Sequence, residues 1–112
     1  MHELTEQDFH RQVDRIQDLI EHAVDAQGLE LEMDHVEGSL ILRREDGPRL
    51  VIGRQPASRE LWLAAPGSTL HFGYRQGQGW VHDGDEETLG EVLDRILGDL
   101  LGDEVELDIE EG

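Results

Sequence analysis

The sequence contains no cysteine, and every one of its nine basic residues is arginine, so lysine is absent as well. Without a thiol the chain carries no disulfide, no thiolate nucleophile, no cysteine-type structural zinc site and no cysteine-ligated iron–sulfur cluster. Without an ε-amine there is no Schiff-base chemistry and no P-loop lysine. Long apolar runs are missing too: the longest is Leu61 to Ala65, far short of the roughly 20 residues that span a bilayer. The opening MHELTEQDFHR lacks the apolar stretch of a signal peptide, and the expected location is the cytoplasm.

What the chain has in excess is acid. Against nine arginines stand 27 Asp and Glu, a formal charge of -18 over 112 residues. Such a field repels phosphate backbones and anionic headgroups, so nucleic acid and membrane surfaces are not expected partners. It also favours a monomer in the absence of metal, although iron bridging acidic surfaces of several chains would give an oligomer. The length fits one domain, 1–112, and two Trp, two Phe and one Tyr suffice for a modest core. Acidity of this size has two ordinary origins, a surface that meets cations or basic partners and a general adaptation to high salt. Where the acids fall along the chain separates them better than the total does.

From Thr5 to Ala26, Phe9, Val13, Ile16, Leu19, Ile20 and Ala23 recur at three-and-four spacing, which predicts a helix with one buried face. Thr5 suits the N-cap, with Asp8 three positions on, and Gly28 stops the helix. Leu29-Glu30-Leu31-Glu32-Met33-Asp34 then alternates as a strand buried on one side, its acids facing water. Further strands are expected at Leu40–Arg44, Leu50–Ile52, Glu60–Ala64, Thr69–Tyr74 and Trp80–His82, separated by the turn signals Gly38-Ser39, Asp46-Gly47, Pro56 to Ser58, Pro66-Gly67-Ser68 and Gln76 to Gly79. A second helix is expected to open at Asp83–Glu87 and to bury Leu89, Val92, Leu93, Ile96, Leu97 and Leu100 before Gly102. The tail Val105–Ile109 alternates again and is placed over the groove between the helices, with Glu110-Glu111-Gly112 frayed. Helix, about six short strands, helix predicts an α+β fold: a two-layer sandwich with both helices on one face of an antiparallel sheet.

On the first helix Asp14, Asp18, Glu21 and Asp25 follow at spacings of four, three and four, so they stack opposite the core and repel one another. His10 and His22 lie beside this row, and Glu30, Glu32 and Asp34 on the next strand extend it toward one acidic ridge. Oxygen donors suit hard cations, with Fe(II) admitted once imidazole contributes, but nothing in the spacing encloses an ion. From the residues alone the ridge therefore reads first as a solvated acidic face, and metal affinity comes second. His35, His71 and His82 share no H-x-x-x-H or H-x-x-E spacing, the serines sit in turns, and Gly77-Gln78-Gly79 opens no helix, which leaves an enzymatic reading without support.

The most specific stretch is Arg54-Gln55-Pro56-Ala57-Ser58-Arg59-Glu60-Leu61-Trp62-Leu63-Ala64-Ala65-Pro66, followed by His71-Phe72 and Trp80. Together with Phe9-His10-Arg11, Asp14 and the order of elements, it resembles the frataxin family, most closely its bacterial branch, over nearly the whole chain. The resemblance implies a frataxin-like sandwich and a non-enzymatic regulator of iron–sulfur cluster assembly. Such a protein binds iron (Fe2+ or Fe3+) weakly on the ridge and docks on the cysteine desulfurase and its assembly scaffold. By position, the metal residues would be Asp14, Asp18, Glu21, Asp25, Glu30, Glu32 and Asp34, and the partner-binding residues Gln55 and Trp62. The pattern is broken at three places. His22 and Ala26 stand where bacterial relatives often carry acids, so the cluster is thinned or His22 supplies a nitrogen ligand. Gly53 replaces a common Asn, and Glu60 a usual Gln.

The residues give Trp62 a reading of their own. Period two puts Leu61 and Leu63 on the face opposite to it, so if the leucines are core, Trp62 lies on the open face of the sheet. The alternative to an iron-binding regulator is an acidic protein-binding module with no physiological metal, its charge reflecting salt adaptation. A ferroxidase, proposed for some frataxins, requires a closed ligand set that this sequence does not display.

Overall fold

The computed structural model describes residues 4–45, 47, 49–107 and 109. The first apolar stripe folds into helix α1, Glu6–Ala26, with Phe9, Val13, Ile16, Ile20 and Val24 buried along one side. Thr5 caps it by accepting the Asp8 N–H at 3.1 Å, and beyond the last turn Gly28 takes φ +64, a conformation that glycine adopts without strain. Six strands follow: β1 Glu32–Val36, β2 Ser39–Arg43, β3 Arg49–Gln55, β4 Glu60–Ala65, β5 Ser68–Arg75 and β6 Gly79–His82; helix α2, Leu89–Leu101, closes the order. The strands form one antiparallel sheet in chain order, β1 to β6. This is the expected α+β meander with a helix at either end.

Alternation along the strands decides which face is covered. Leu40 and Leu42, Leu50 and Ile52, Leu61 and Leu63, Phe72 and Trp80 are buried in one cluster with the inner residues of both helices. Phe9 of α1 meets Trp80 edge to face, with centroids 6.0 Å apart. Leu107 of the tail is buried, with Val105 and Ile109 packed against the cluster. Gln27 donates to the Glu106 carbonyl at 2.6 Å and the Leu107 N–H to Asp94 at 2.9 Å, so the tail ties the end of α1 to α2 as expected. Asp108, the Glu110–Gly112 end and Asp46 of the second hairpin turn lie outside the described residues.

Several strand ends differ from the sequence reading by a residue or two, and three departures are larger. Leu29 to Leu31 is not strand: the Leu29 N–H bonds to the Val24 carbonyl and the Leu31 N–H back to that of Leu29, a bend that uses the donors a strand would pair. Glu30 thus precedes β1, while Leu29, Leu31 and Met33 still pack on the core. β3 runs on to Gln55, so Arg54 and Gln55 are strand residues. Asp83–Glu87 is a turn, not the start of α2. The Asp85 carboxylate accepts the Glu87 N–H at 3.1 Å and faces His82 Nδ1 at 2.9 Å. These contacts, the Glu87 N–H first, hold the Asp85 carboxyl below its ordinary range. That stabilisation is present above the ordinary value and fades as pH falls through the lowered one. The helix begins only at Thr88, whose capping box with Glu91 is complete on both sides.

One polar network crosses between the layers. Gln17 on α1 is 3% exposed and donates to the carbonyls of Gly38 and Ile52, both at 3.0 Å. Arg54 faces the helix layer, in phase with Leu50 and Ile52. Its guanidinium contacts Asp14 at 2.8 Å, Gln17 Oε1 at 3.2 Å, His10 Nδ1 at 3.0 Å and the Gly38 carbonyl at 3.0 Å. Arg54→Met strands the Gln17 oxygen and Asp14 together, and is expected to lower stability by about 1–3 kcal/mol in urea unfolding. An unchanged midpoint would show the network to be idle.

Candidate functional site

The acids of α1 form an exposed row that is selective in its pairing. Asp14, Asp18, His22 and Asp25 are exposed along α1, with Glu21 half-buried among them. Asp14 is engaged by Arg54, and Glu21 by His35 Nε2. His22 turns its Nδ1 to the Asp18 carbonyl at 2.8 Å, leaving Nε2 toward solvent. Glu32 and Asp34 do not continue the helix row. Met33 packs toward the core and His35 reaches Glu21 on α1, so the two acids between them fall on the opposite, uncovered face. There Arg43, opposite Glu32 in register, lies 3.0 Å from Glu32 and 3.6 Å from Asp34. The carboxylates of Asp18, Asp25 and Glu30 have no counter-charge among the described residues. Among those residues no three His, Asp or Glu side chains come together to hold a metal ion.

The second feature is the sheet face that neither helix covers. Ile41, Val51 and Ala64 stand in one cross-strand row over β2, β3 and β4, all half-buried. In the neighbouring row Trp62 is opposite Gly53 on β3 and His71 on β5. Trp62 is half-buried while Leu61 and Leu63 on either side of it are fully buried, as the alternation predicts. Gln55 is exposed at the end of β3 and pairs in register with Glu60. The Glu60 carboxylate accepts from Ser58 Oγ at 2.9 Å and lies 3.7 Å from His71 Nδ1. Val36, 49% exposed, extends the apolar surface to the β1 edge. The result is a shallow apolar floor with a tryptophan on it and polar groups at its rim, a composition suited to a protein partner rather than to a small molecule.

A family model described as a frataxin-like domain matches residues 2–103. The chain belongs to the frataxin family. Among its frataxin relatives is a Pseudomonas aeruginosa protein named "Iron-sulfur cluster assembly protein CyaY", 38% identical over 104 residues that cover 92% of this chain and 96% of the relative. A Pseudomonas putida protein of the same name is 39% identical over 106 residues, covering 94% of this chain and 96% of its own. The kinship is thus with the bacterial CyaY branch. A solved frataxin from Psychromonas ingrahamii has the same fold, with a TM-score of 0.86 at 22% identity over 95% of this chain and all of its own.

Sequence spacing found the acids of this frataxin but missed their partners His35, Arg43 and Arg54. A signal for two of them was present. Arg54 shares the phase of Leu50 and Ile52, and His35 that of Met33, and a charged or titratable side chain on an inward phase calls for a partner across the layer. For Arg43 the missing knowledge was which of its two neighbouring strands brings acids beside it.

Proposed function

We propose that this chain is an iron-binding adaptor and regulator of iron–sulfur cluster assembly, acting in the cytoplasm and without enzymatic turnover of its own. It docks on the cysteine desulfurase and the assembly scaffold through the open sheet face, with Trp62 and Gln55 as contact residues, and carries iron as loosely held cargo on the acidic ridge. The observation that carries the reading is the placement of Trp62, a large aromatic side chain on an uncovered face flanked by two core leucines. Partly accessible aromatics on an uncovered face are characteristic binding anchors. The name borne by its relatives supplies the pathway. The test is a cluster-assembly reaction reconstituted from desulfurase, scaffold, Fe(II) and cysteine. Stoichiometric addition of this chain is expected to change the rate of cluster formation, and an unchanged rate at tenfold excess would contradict the proposal.

The acids, a row on α1 and a separate pair on β1, fit a weakly held cation. Asp18, Asp25 and Glu30 offer uncommitted oxygens and His22 an outward nitrogen, while Asp14, Glu21, Glu32 and Asp34 already face an arginine or a histidine. Iron at those four must compete with a resident partner. Arg43→Gln removes the competitor from Glu32 and Asp34 and is expected to tighten Fe(II) binding at β1 by about 2- to 5-fold, the scale of an exposed ion pair. Anaerobic Fe(II) titration of the amide shifts of 32–36 measures it. The same pairing favours the second reading, an acidic protein-binding module with no physiological metal. Shifts that vanish in moderate salt or with Mg(II) would support that reading over an iron carrier.

A further inference from the structure

Gly53 lies on the uncovered face of β3, opposite Trp62, and is nevertheless buried. The indole is what covers it. A Cβ built on residue 53 would fall 2.4 Å from both Cε2 and Cζ2 of Trp62 and 2.9 Å from its Nε1, far inside van der Waals contact. The backbone does not ask for glycine here, because Gly53 is not among the residues with positive φ. Space alone excludes a side chain, and the space is filled by Trp62. The indole Nε1 makes no hydrogen bond among the described residues, and no buried side-chain nitrogen or oxygen lacks a partner. Its N–H is therefore open to solvent from a ring seated on the sheet.

We propose that Gly53 is a positioning residue for docking. The missing side chain lets the Trp62 indole settle onto β3 with its N–H free to meet a hydrogen-bond acceptor, a carbonyl or carboxylate, on the desulfurase. Any side chain at this position lifts the ring and changes the edge that a partner meets. Gly53 thus determines specificity without touching the partner, an inference that rests on the docking reading above.

Gly53→Ala tests it in two arms. In amide and indole spectra of the free protein, the Nε1–H signal of Trp62 is expected to move while that of buried Trp80 stays in place. Against purified cysteine desulfurase, Gly53→Ala is expected to bind about tenfold more weakly, and the Gly53→Ala, Trp62→Ala double variant no more weakly than Trp62→Ala alone. An unmoved Trp62 signal overturns the proposal. So does a Gly53→Ala protein that binds like wild type when Trp62→Ala does not, a result that leaves the docking reading standing. If instead Trp62→Ala binds like wild type, the docking reading fails and takes the positioning role with it. Should Gly53→Ala alone fold poorly, truncating Trp62 is expected to restore the fold. A double variant that remains unfolded would place the constraint in the backbone and overturn the proposal.

Discussion

Trp80→Ala is expected to cost about 3–5 kcal/mol of stability, the usual range for deleting a large aromatic from a packed core. Trp80 is 1% exposed, lies edge to face with Phe9, and meets Tyr74 with centroids 5.3 Å apart. It therefore joins α1 to β5 and β6, and the cavity left behind would be lined by side chains from two layers that cannot collapse together. Against a total of about 5–15 kcal/mol for a domain of this kind, the variant should be partly unfolded at 37 °C. Urea unfolding followed by circular dichroism measures the loss. A cost below about 1 kcal/mol would mean that Trp80 is not part of the core.

Trp62→Ala is expected to do the reverse. The indole is partly wet on the uncovered face and rests over the backbone of Gly53, so the stability change should stay within about 1–2 kcal/mol. Affinity for the cysteine desulfurase should fall by at least about 30-fold, corresponding to roughly 2 kcal/mol for an aromatic anchor at the centre of an interface. Biolayer interferometry with the immobilised desulfurase measures the second quantity, and thermal unfolding the first. Loss of several kcal/mol of stability would place Trp62 in the core and remove the main support for a docking face. The two tryptophans, one on each face of the same sheet, thus separate folding from recognition by single substitutions.

The place of Trp62 was legible in the sequence, given Leu61 and Leu63 as core, whereas the burial of Trp80 was not. Period two over Leu61-Trp62-Leu63 and the three-and-four stripe of α1 each report which side of an element is dry, and dryness is what sequence patterns encode. Boundaries were less legible where one residue type serves two local structures. Acids at 83–87 suit a helix N-terminus, yet they suit a turn stitched by Asp85 equally well. The Thr88-x-x-Glu91 spacing was the better marker of the helix start. The strict alternation of 29–34 predicted burial correctly and hydrogen bonding incorrectly, because the bend at Leu29–Leu31 keeps the side chains in phase while it spends their backbone donors locally. The ridge was legible as composition and not as chemistry. Which carboxylates keep free oxygens depends on Arg54 reaching over from β3, Arg43 from β2 and His35 from β1, contacts that exist only after the sheet has formed.

A partner is proposed to meet this frataxin on the uncovered face of its sheet. The most direct measurement is the footprint of unlabelled cysteine desulfurase on the amide and indole spectra of the labelled chain at physiological ionic strength. Broadening is expected at Gly53, Gln55, Trp62 and His71, and none at the outward residues of α2. A footprint confined to α2, or no broadening with desulfurase in excess, would contradict it.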